Sequence, residues 1–568
     1  MLASQPRAII ALVKTKTALA AAALTLVLAP AARVGSPFLF EDITPAAGIR
    51  FRGENGATAD KLILETMGSG LGWLDYDGDG RLDLVFVNGG GRPGSAAAKT
   101  DRLALYRNDG NGRFADVTGR ARLNGSFDTY GLGVAAADYD NDGDTDFLLT
   151  GYPRSVLFRN NGDGTFTDMT ARAANLNQGE LATSAGWFDY DRDGRLDLLI
   201  ANYVSDFSWD RAIYCGEKRP GYRAYCHPDV YKGASPRLYR NLGDGRFEDV
   251  TARAKVLNRE GKGLGVALAD FNDDGWPDIF VANDGVRNFL YWNRGNGEFE
   301  EAGVMAGVGF SEDGEAEAGM GVDAADVDGD LRPDLYVTHL DFELNRLYAN
   351  LGGEAFADRT RGAGLSRATY FYSGFGVKLA DFDNSGRRHI LIANGHILDN
   401  IHLFKSEVAY REPMVLLEND GTGKFRDASG EAGEIFQRKL VGRGLAVADF
   451  DDDGRLDFAA SQNFGPPLLA RNAGRVGRWI KLRLEGTGAS NRDAIGARVV
   501  VTAGGRQQAA EVVGGSSYCS AQDLRLHIGL GAAERLERIE VRWPSGRRET
   551  FRNVEANRVL RLVEGAAP

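Results

Sequence analysis

The sequence is short of the residues that mark several protein classes: 3 Cys, 6 Met, 16 Pro and 6 His in 568 residues. Three cysteines are too few for a disulfide-dense scaffold. Sixteen prolines are too few for a Pro-rich disordered chain. Positive charge is in deficit, with a formal net charge of −12, which argues against nucleic acid as a partner. The apolar run near the start, Thr17 to Ala29, has 13 residues, short of the ~20 that span a bilayer.

That run follows Arg7, Lys14 and Lys16 and ends in the small residues around Ala29-Pro30-Ala31, the pattern of a secretory signal. Residues 1–31 are therefore expected to be a signal peptide. The mature charge would then be −15, and export would leave no membrane span. No cysteine follows the run to anchor a lipoprotein. The expected location is secreted, periplasmic or cell-surface. There Cys215 and Cys226, in one insertion rich in Tyr, Gly and Pro, are expected to pair, leaving Cys519 as a buried odd thiol.

Glycine and aspartate are what the chain has in quantity. The 74 glycines point to many tight turns between short strands, and the length calls for several domains or one large repeat array. A nine-residue pattern, Asp-x-Asp-x-Asp-Gly-x-x-Asp, begins at Asp75, Asp138, Asp189, Asp270, Asp326, Asp381 and Asp449. A Gly-rich apolar stretch precedes each copy and an apolar run follows it, so each loop joins two strands. A third strand ends in Leu-Tyr-Arg-Asn or a relative, as at Leu105 to Asn108, and a fourth carries Phe-x-Asp-x-Thr, as at Phe114 to Thr118. Four strands repeated seven times is the pattern of propeller blades. The element Phe40 to Thr44 precedes the first loop, whereas none follows the last, so the strand near Phe40 is expected to complete the seventh blade. A β-solenoid would need shorter repeats and no closing segment.

Convergent carboxylates repel one another unless a cation joins them. Calcium (Ca2+), a hard ion taking about 6 to 8 oxygens, suits side chains at loop positions 1, 3, 5 and 9 with a backbone carbonyl at 7. Glycine at position 6 allows the positive φ of a tight loop. An EF-hand would need Glu at position 12, where this chain has Phe86, Leu149, Ile200, Val281, Val337, Ile392 and Ala460. The predicted ligands are Asp75, Asp77, Asp79 and Asp83; Asp138, Asp140, Asp142 and Asp146; Asp189, Asp191, Asp193 and Asp197; and Asp449, Asp451, Asp453 and Asp457. The fourth loop offers Asp270, Asn272, Asp274 and Asp278. The fifth offers Asp326, Asp328, Asp330 and Asp334, with Leu331 where glycine belongs, so its backbone is expected to be distorted. In the sixth, Ser385 and His389 replace two acids beside Asp381 and Asp383, and weak or no binding is expected.

These units resemble the FG-GAP or VCBS repeats of integrin α-type propellers. From Arg478-Trp479-Ile480 onward the pattern changes to alternating strands, with Asn491, Ile495 to Val499, His527 to Gly531 and Val541-Arg542-Trp543-Pro544-Ser545-Gly546. This segment is similar to an ASPIC/UnbV module. The whole chain resembles the secreted cartilage-acidic-protein family. The expected fold is all-β, a seven-bladed β-propeller over 36–474 followed by a small β-sandwich-like domain over 475–568. The resemblance implies extracellular calcium binding with cell-adhesion or carbohydrate-binding roles.

The expected function is thus a calcium-binding recognition or adhesion scaffold for an extracellular protein or carbohydrate, not an enzyme. The alternative is a calcium-dependent polysaccharide lyase or hydrolase. Its most site-like group is His396 with Asp399 and His402, in the unit whose calcium loop has decayed. The aromatic residues of the 203–231 insertion, Trp209, Tyr214, Tyr222, Tyr225 and Tyr231, either present stacking faces to a ligand or form a small core for the loop.

Overall fold

The computed structural model describes residues 37–95, 101–174 and 176–566; the expected signal peptide, residues 1–31, lies outside them. Seven sheets follow one another along the chain, each built on four strands in the order inner to outer. The inner strands are Leu71–Leu74, Tyr130–Ala137, Ala182–Phe188, Gly263–Ala269, Val322–Ala325, Gly374–Ala380 and Gly442–Ala448. Each packs against the inner strand of the next sheet, and the seventh packs back on the first. Phe40–Asp42 pairs antiparallel with Leu468–Asn472 as the outer strand of the seventh sheet, so the N-terminal segment closes the ring.

The recurring motifs have physical counterparts. The Thr of Phe-x-Asp-x-Thr accepts a hydrogen bond from the third strand: Thr118 Oγ1 from Leu105 N at 2.9 Å and, at the ring closure, Thr44 Oγ1 from Leu469 N at 2.7 Å. The Asn ending the third strand donates its side-chain amide to the preceding blade, to the carbonyl at position 2 of that blade's aspartate loop. These bonds run from Asn108 to Phe450, Asn160 to Tyr76, Asn241 to Tyr139, Asn293 to Tyr190, Asn350 to Phe271, Asn419 to Val327 and Asn472 to Phe382, all at 2.8 to 2.9 Å. Every blade is thereby stapled to its neighbour.

The C-terminal segment forms two further sheets. One holds Arg478–Glu485 between Leu526–Gly531 and Arg558–Val563; the other runs Arg506–Glu511, Arg498–Ala503, Arg535–Arg542, Arg548–Glu555. Val499, Val501, Ile539, Val541 and Trp543 turn inward as the alternation predicts. Lys481 breaks the alternation. It is buried because its ammonium pairs with Asp449 of the propeller, 2.7 Å away. One apolar cluster joins the two parts, from Trp187 and Leu198 through Ile495 and Val512 to Ile480 and Trp543.

Between these sheets the chain leaves the module and enters the propeller axis. Gly514 pairs with Trp187, Ser517 with Val322, and Ser520–Ala521 lies parallel to Leu71–Gly72 as an added strand of the first sheet. Tyr518 reaches the far end, where its hydroxyl donates to Met67 O at 2.9 Å. Some glycines of the approaches make room for this segment, a Cβ on Gly70 coming within 1.9 Å of Cys519 O, while others admit the next blade, a Cβ on Gly321 coming within 1.9 Å of Phe375 O. The axis of the ring is filled by the protein's own chain.

Candidate metal centres

The seven aspartate loops lie on the face that the C-terminal module covers. In each, residues at positions 4 and 6 take left-handed backbone, as Asn141 (φ 60°) and Gly143 (φ 104°) do in the second loop. Position 1 anchors the turn. In the first loop Asp75 Oδ1 accepts the Asp79 N–H at 3.1 Å and Asp75 Oδ2 the Gly80 N–H at 2.9 Å. Position 9 ties the loop to its blade. Asp83 Oδ2 accepts from Tyr76 N at 2.9 Å and Asp83 Oδ1 from Asn108 N at 2.7 Å.

Candidate ligand atoms come within 4.8 Å of one another at Asp75, Asp77 and Asp83; Asp138, Asp140 and Asp146; Asp189, Asp191 and Asp197; Asp326, Asp328 and Asp334; and Asp381, Asp383 and His389. Positions 1, 3 and 9 therefore converge. Position 5 behaves differently: Asp79, Asp193, Asp330 and Asp453 each pair with the arginine at position 7 of their own loop, Arg81, Arg195, Arg332 and Arg455. Asp142 accepts from Asp144 N at 2.9 Å. Sequence spacing could not reveal this choice, because a position-5 side chain can turn to either side of the loop.

The convergent acids are poorly solvated. Burial pushes Asp83 up to about 8, Asp138 to about 8, Asp189 to about 7, Asp334 to about 8 and Asp449 to about 6, with the neighbouring loop aspartates raising each further. Three position-3 oxygens, Asp140 Oδ1, Asp191 Oδ1 and Asp451 Oδ1, are buried and accept no hydrogen bond. A buried carboxylate oxygen without a donor calls for an ion or water. A hard divalent cation matches this all-oxygen set, so the residues fit calcium.

The weaker copies diverge in instructive ways. Leu331 holds φ 71° where other loops use glycine, and its N–H still reaches Asp326 Oδ2 at 3.0 Å. The expected distortion shows in the turn's bonding: Asp326 Oδ1 accepts the Gly329 N–H at 2.7 Å, where the other loops offer their position-5 N–H, and the Asp330 N–H turns to Asp328 Oδ1 at 3.3 Å. In the sixth loop His389 takes over position 9. Its Nδ1 accepts the Asn419 N–H at 3.1 Å, leaving Nε2 to donate to Asp383 Oδ1 at 3.0 Å.

The histidine group does not assemble. His396 Nε2 pairs with Asp341 at 3.0 Å and its Nδ1 accepts from Leu398 N, while Asp399 pairs with Lys61. In the insertion, Cys215 and Cys226 form a disulfide with a Cα–Cα distance of 5.2 Å. Trp209 packs on Tyr130, Tyr152 and Phe207. Cations lie over the other rings: Arg219 on Tyr222, Arg223 on Tyr214, Lys61 on Tyr225 and Arg211 on Tyr231. Trp209, Tyr225 and Tyr231 form a core for the loop, whereas Tyr214 stays exposed. A different aromatic group lies at the surface: exposed Tyr370 and Phe371 with half-buried Phe342, ring centroids 5.2 to 5.7 Å apart, and Lys405 Nζ 4.4 Å from the Phe342 centroid. Nothing in the sequence around it set it apart.

Comparison with known proteins places these features. FG-GAP-like repeats match residues 75–149, 138–200, 227–281 and 270–337, and an ASPIC and UnbV region matches 486–568. Cartilage acidic protein 1 of Homo sapiens is 28% identical over 459 residues, covering 76% of this chain and 63% of that protein. Its Mus musculus counterpart is 26% identical over 522 residues, covering 87% and 73%. The chain thus spans under two thirds of the human relative. Among solved structures, the BP39L lectin from Burkholderia pseudomallei aligns with TM-score 0.43 and 12% identity over 72% of this chain and 97% of its own. Rhamnogalacturonan lyase YesW aligns with TM-score 0.35 and 11% identity over 72% of each. Likeness at that level bears on no function. Repeats, C-terminal module and curated relatives agree: the chain combines FG-GAP-like repeats with an ASPIC and UnbV region and is similar over most of its length to cartilage acidic protein 1.

Proposed function

We propose that this protein is an exported, calcium-loaded recognition scaffold, with a propeller over 36–474, an ASPIC/UnbV domain over 475–568, and an extracellular protein or carbohydrate as its ligand. The observation that carries the calcium reading is the set of buried, unpartnered oxygens on Asp140, Asp191 and Asp451. Bound calcium would neutralise the converging acids and fix the loops on which the C-terminal module rests. The Cys215–Cys226 disulfide suits an oxidising compartment, and among the described residues no helix is long and apolar enough to cross a membrane.

Because the axis is filled by residues 514–522, ligand recognition is assigned to the outer surface. Exposed Tyr370 and Phe371, with half-buried Phe342 beside them, offer the apolar faces that protein or sugar contacts use. The lyase or hydrolase alternative gains no support from His396, whose ring nitrogens are both engaged.

The test is a thermal melt of the mature protein in calcium, in EGTA, and in EGTA with excess magnesium. A native-state ligand stabilises by linkage, roughly 2.7 kcal/mol at a hundred times its Kd. A melting temperature that falls in EGTA and is restored by calcium but not magnesium is the expected result. Identical melts would leave the loops as polar turns.

A further inference from the structure

We propose that the fourth aspartate loop takes its positive charge from Arg542 of the C-terminal module instead of from calcium, and acts as the socket that latches the module to the propeller. The proposal rests on the calcium reading of the other loops.

The fourth loop differs from its neighbours in two ways. First, the Arg542 guanidinium bonds Asp270 Oδ2 directly and reaches Asp273 Oδ1 at 3.1 Å. Asp270 is the position-1 acid, 4% exposed, so the pair is largely desolvated. A charge-assisted hydrogen bond between a guanidinium and a buried carboxylate is among the stronger polar interactions available. Second, position 3 is Asn272, whose amide donates to Asp274 Oδ2 at 3.0 Å while its carbonyl accepts the Asp274 N–H at 3.2 Å. Positions 3 and 5 therefore satisfy each other.

The seventh loop shows why a module cation alone does not make a latch of this kind. Lys481 pairs with Asp449 and Asp452, yet Asp451 Oδ1 remains without a donor. Its ion position persists beside the lysine. In the fourth loop the position-3 side chain is instead satisfied by Asp274.

The module is shaped to aim Arg542. Trp543, next in sequence, is buried in the module core, and its ring N–H donates to Glu549 at 2.6 Å. The following turn closes through Gly546 N to Trp543 O at 2.8 Å, and Arg192 of the third loop bonds Pro544 O at 3.1 Å. Two more module residues grip the same area: Glu511 accepts the Asp270 N–H at 3.3 Å, and Arg498 bonds Leu331 O at 2.7 Å. Trp-Pro-Ser-Gly is thus the bracket that orients the latch.

The experiment counts calcium ions per full-length mature chain, by metal analysis after equilibrium dialysis in saturating calcium, for wild type, Asp189→Ala and Asp270→Ala. Asp274→Ala is the second fourth-loop variant if Asp270→Ala does not fold. Hydrogen exchange across Arg535–Arg542 is followed in wild type and Arg542→Gln. Expected are the loss of one ion in Asp189→Ala, an unchanged count in the fourth-loop variant, and about tenfold or faster exchange in Arg542→Gln. One ion lost on the fourth-loop change, or unaltered exchange in Arg542→Gln, would overturn the proposal. A wild type that binds no calcium sinks the calcium reading instead, and the exchange arm alone then decides whether Arg542 is a latch.

Discussion

Glu343 is one of the residues outside the loops whose ionisation folding should feel. Burial pushes its carboxyl up to about 7; the Ala318 N–H at 2.9 Å opposes this, and the charges of Glu317 and Asp284 add to it. The unfolded chain titrates this group lower, near the ordinary 4.5, so the folded state binds the proton more tightly. Its favourable contribution is whole below pH 4.5 and is lost as pH rises through about 7. Glu343→Gln should match wild type in urea unfolding at pH 4.5 and exceed it at pH 8 by on the order of 2 kcal/mol. Equal stability differences at both pH values would mean the carboxyl is not held neutral. At this scale the aspartates at positions 1, 3 and 9 were legible, because fixed spacing on a hairpin dictates which side chains converge. The turn of Asp79 toward Arg81, and the arrival of Arg542 and Lys481 from the distant module, were not: no local rule relates residues 272 positions apart, as Arg542 and Asp270 are.

The elements were legible where a strand's job is local. Alternating apolar residues, turn glycines and the Phe-x-Asp-x-Thr signature placed the strands and the closing segment at Phe40, and Thr44 performs there the same cap as Thr118 elsewhere. The Asn of Leu-Tyr-Arg-Asn carried a recurring signal whose meaning was hidden, since its partner lies in the preceding blade. Asn293 illustrates its worth. Its amide donates to Tyr190 O at 2.9 Å and to Pro277 O at 3.2 Å, and its N–H to Asp278 Oδ1 at 2.8 Å, all under cover. Truncation to Ala keeps the backbone bond but strands two carbonyls, a loss of about 2 kcal/mol. Exposed Asn296, in the turn that follows, should change stability by less than about 0.5 kcal/mol when treated alike. Comparable losses from the two variants would show that blade stapling contributes little.

The whole molecule departs furthest from a reading of propeller and module as two successive units. Tyr518 is fully buried on the propeller axis, its ring against Phe375 at 5.0 Å and its hydroxyl on Met67 O, and the Cys519 N–H donates to Ser184 Oγ at 2.9 Å. The glycines lining the axis were conspicuous in the sequence, but their purpose needed the segment they admit, some 450 residues further along for Gly70. A ring built around another unit's chain cannot unfold independently of it, because withdrawing residues 514–522 would leave Arg443, Ser184 and the inner-strand amides around an open channel. Calorimetry of the full chain should therefore give one cooperative transition, without a separate module melt. Tyr518→Ala should lower that transition as a whole, by about 3 kcal/mol from the cavity and the lost hydrogen bond. Two resolved transitions in wild type, or a Tyr518→Ala effect confined to the smaller one, would mean that the axial segment docks onto a propeller already stable without it.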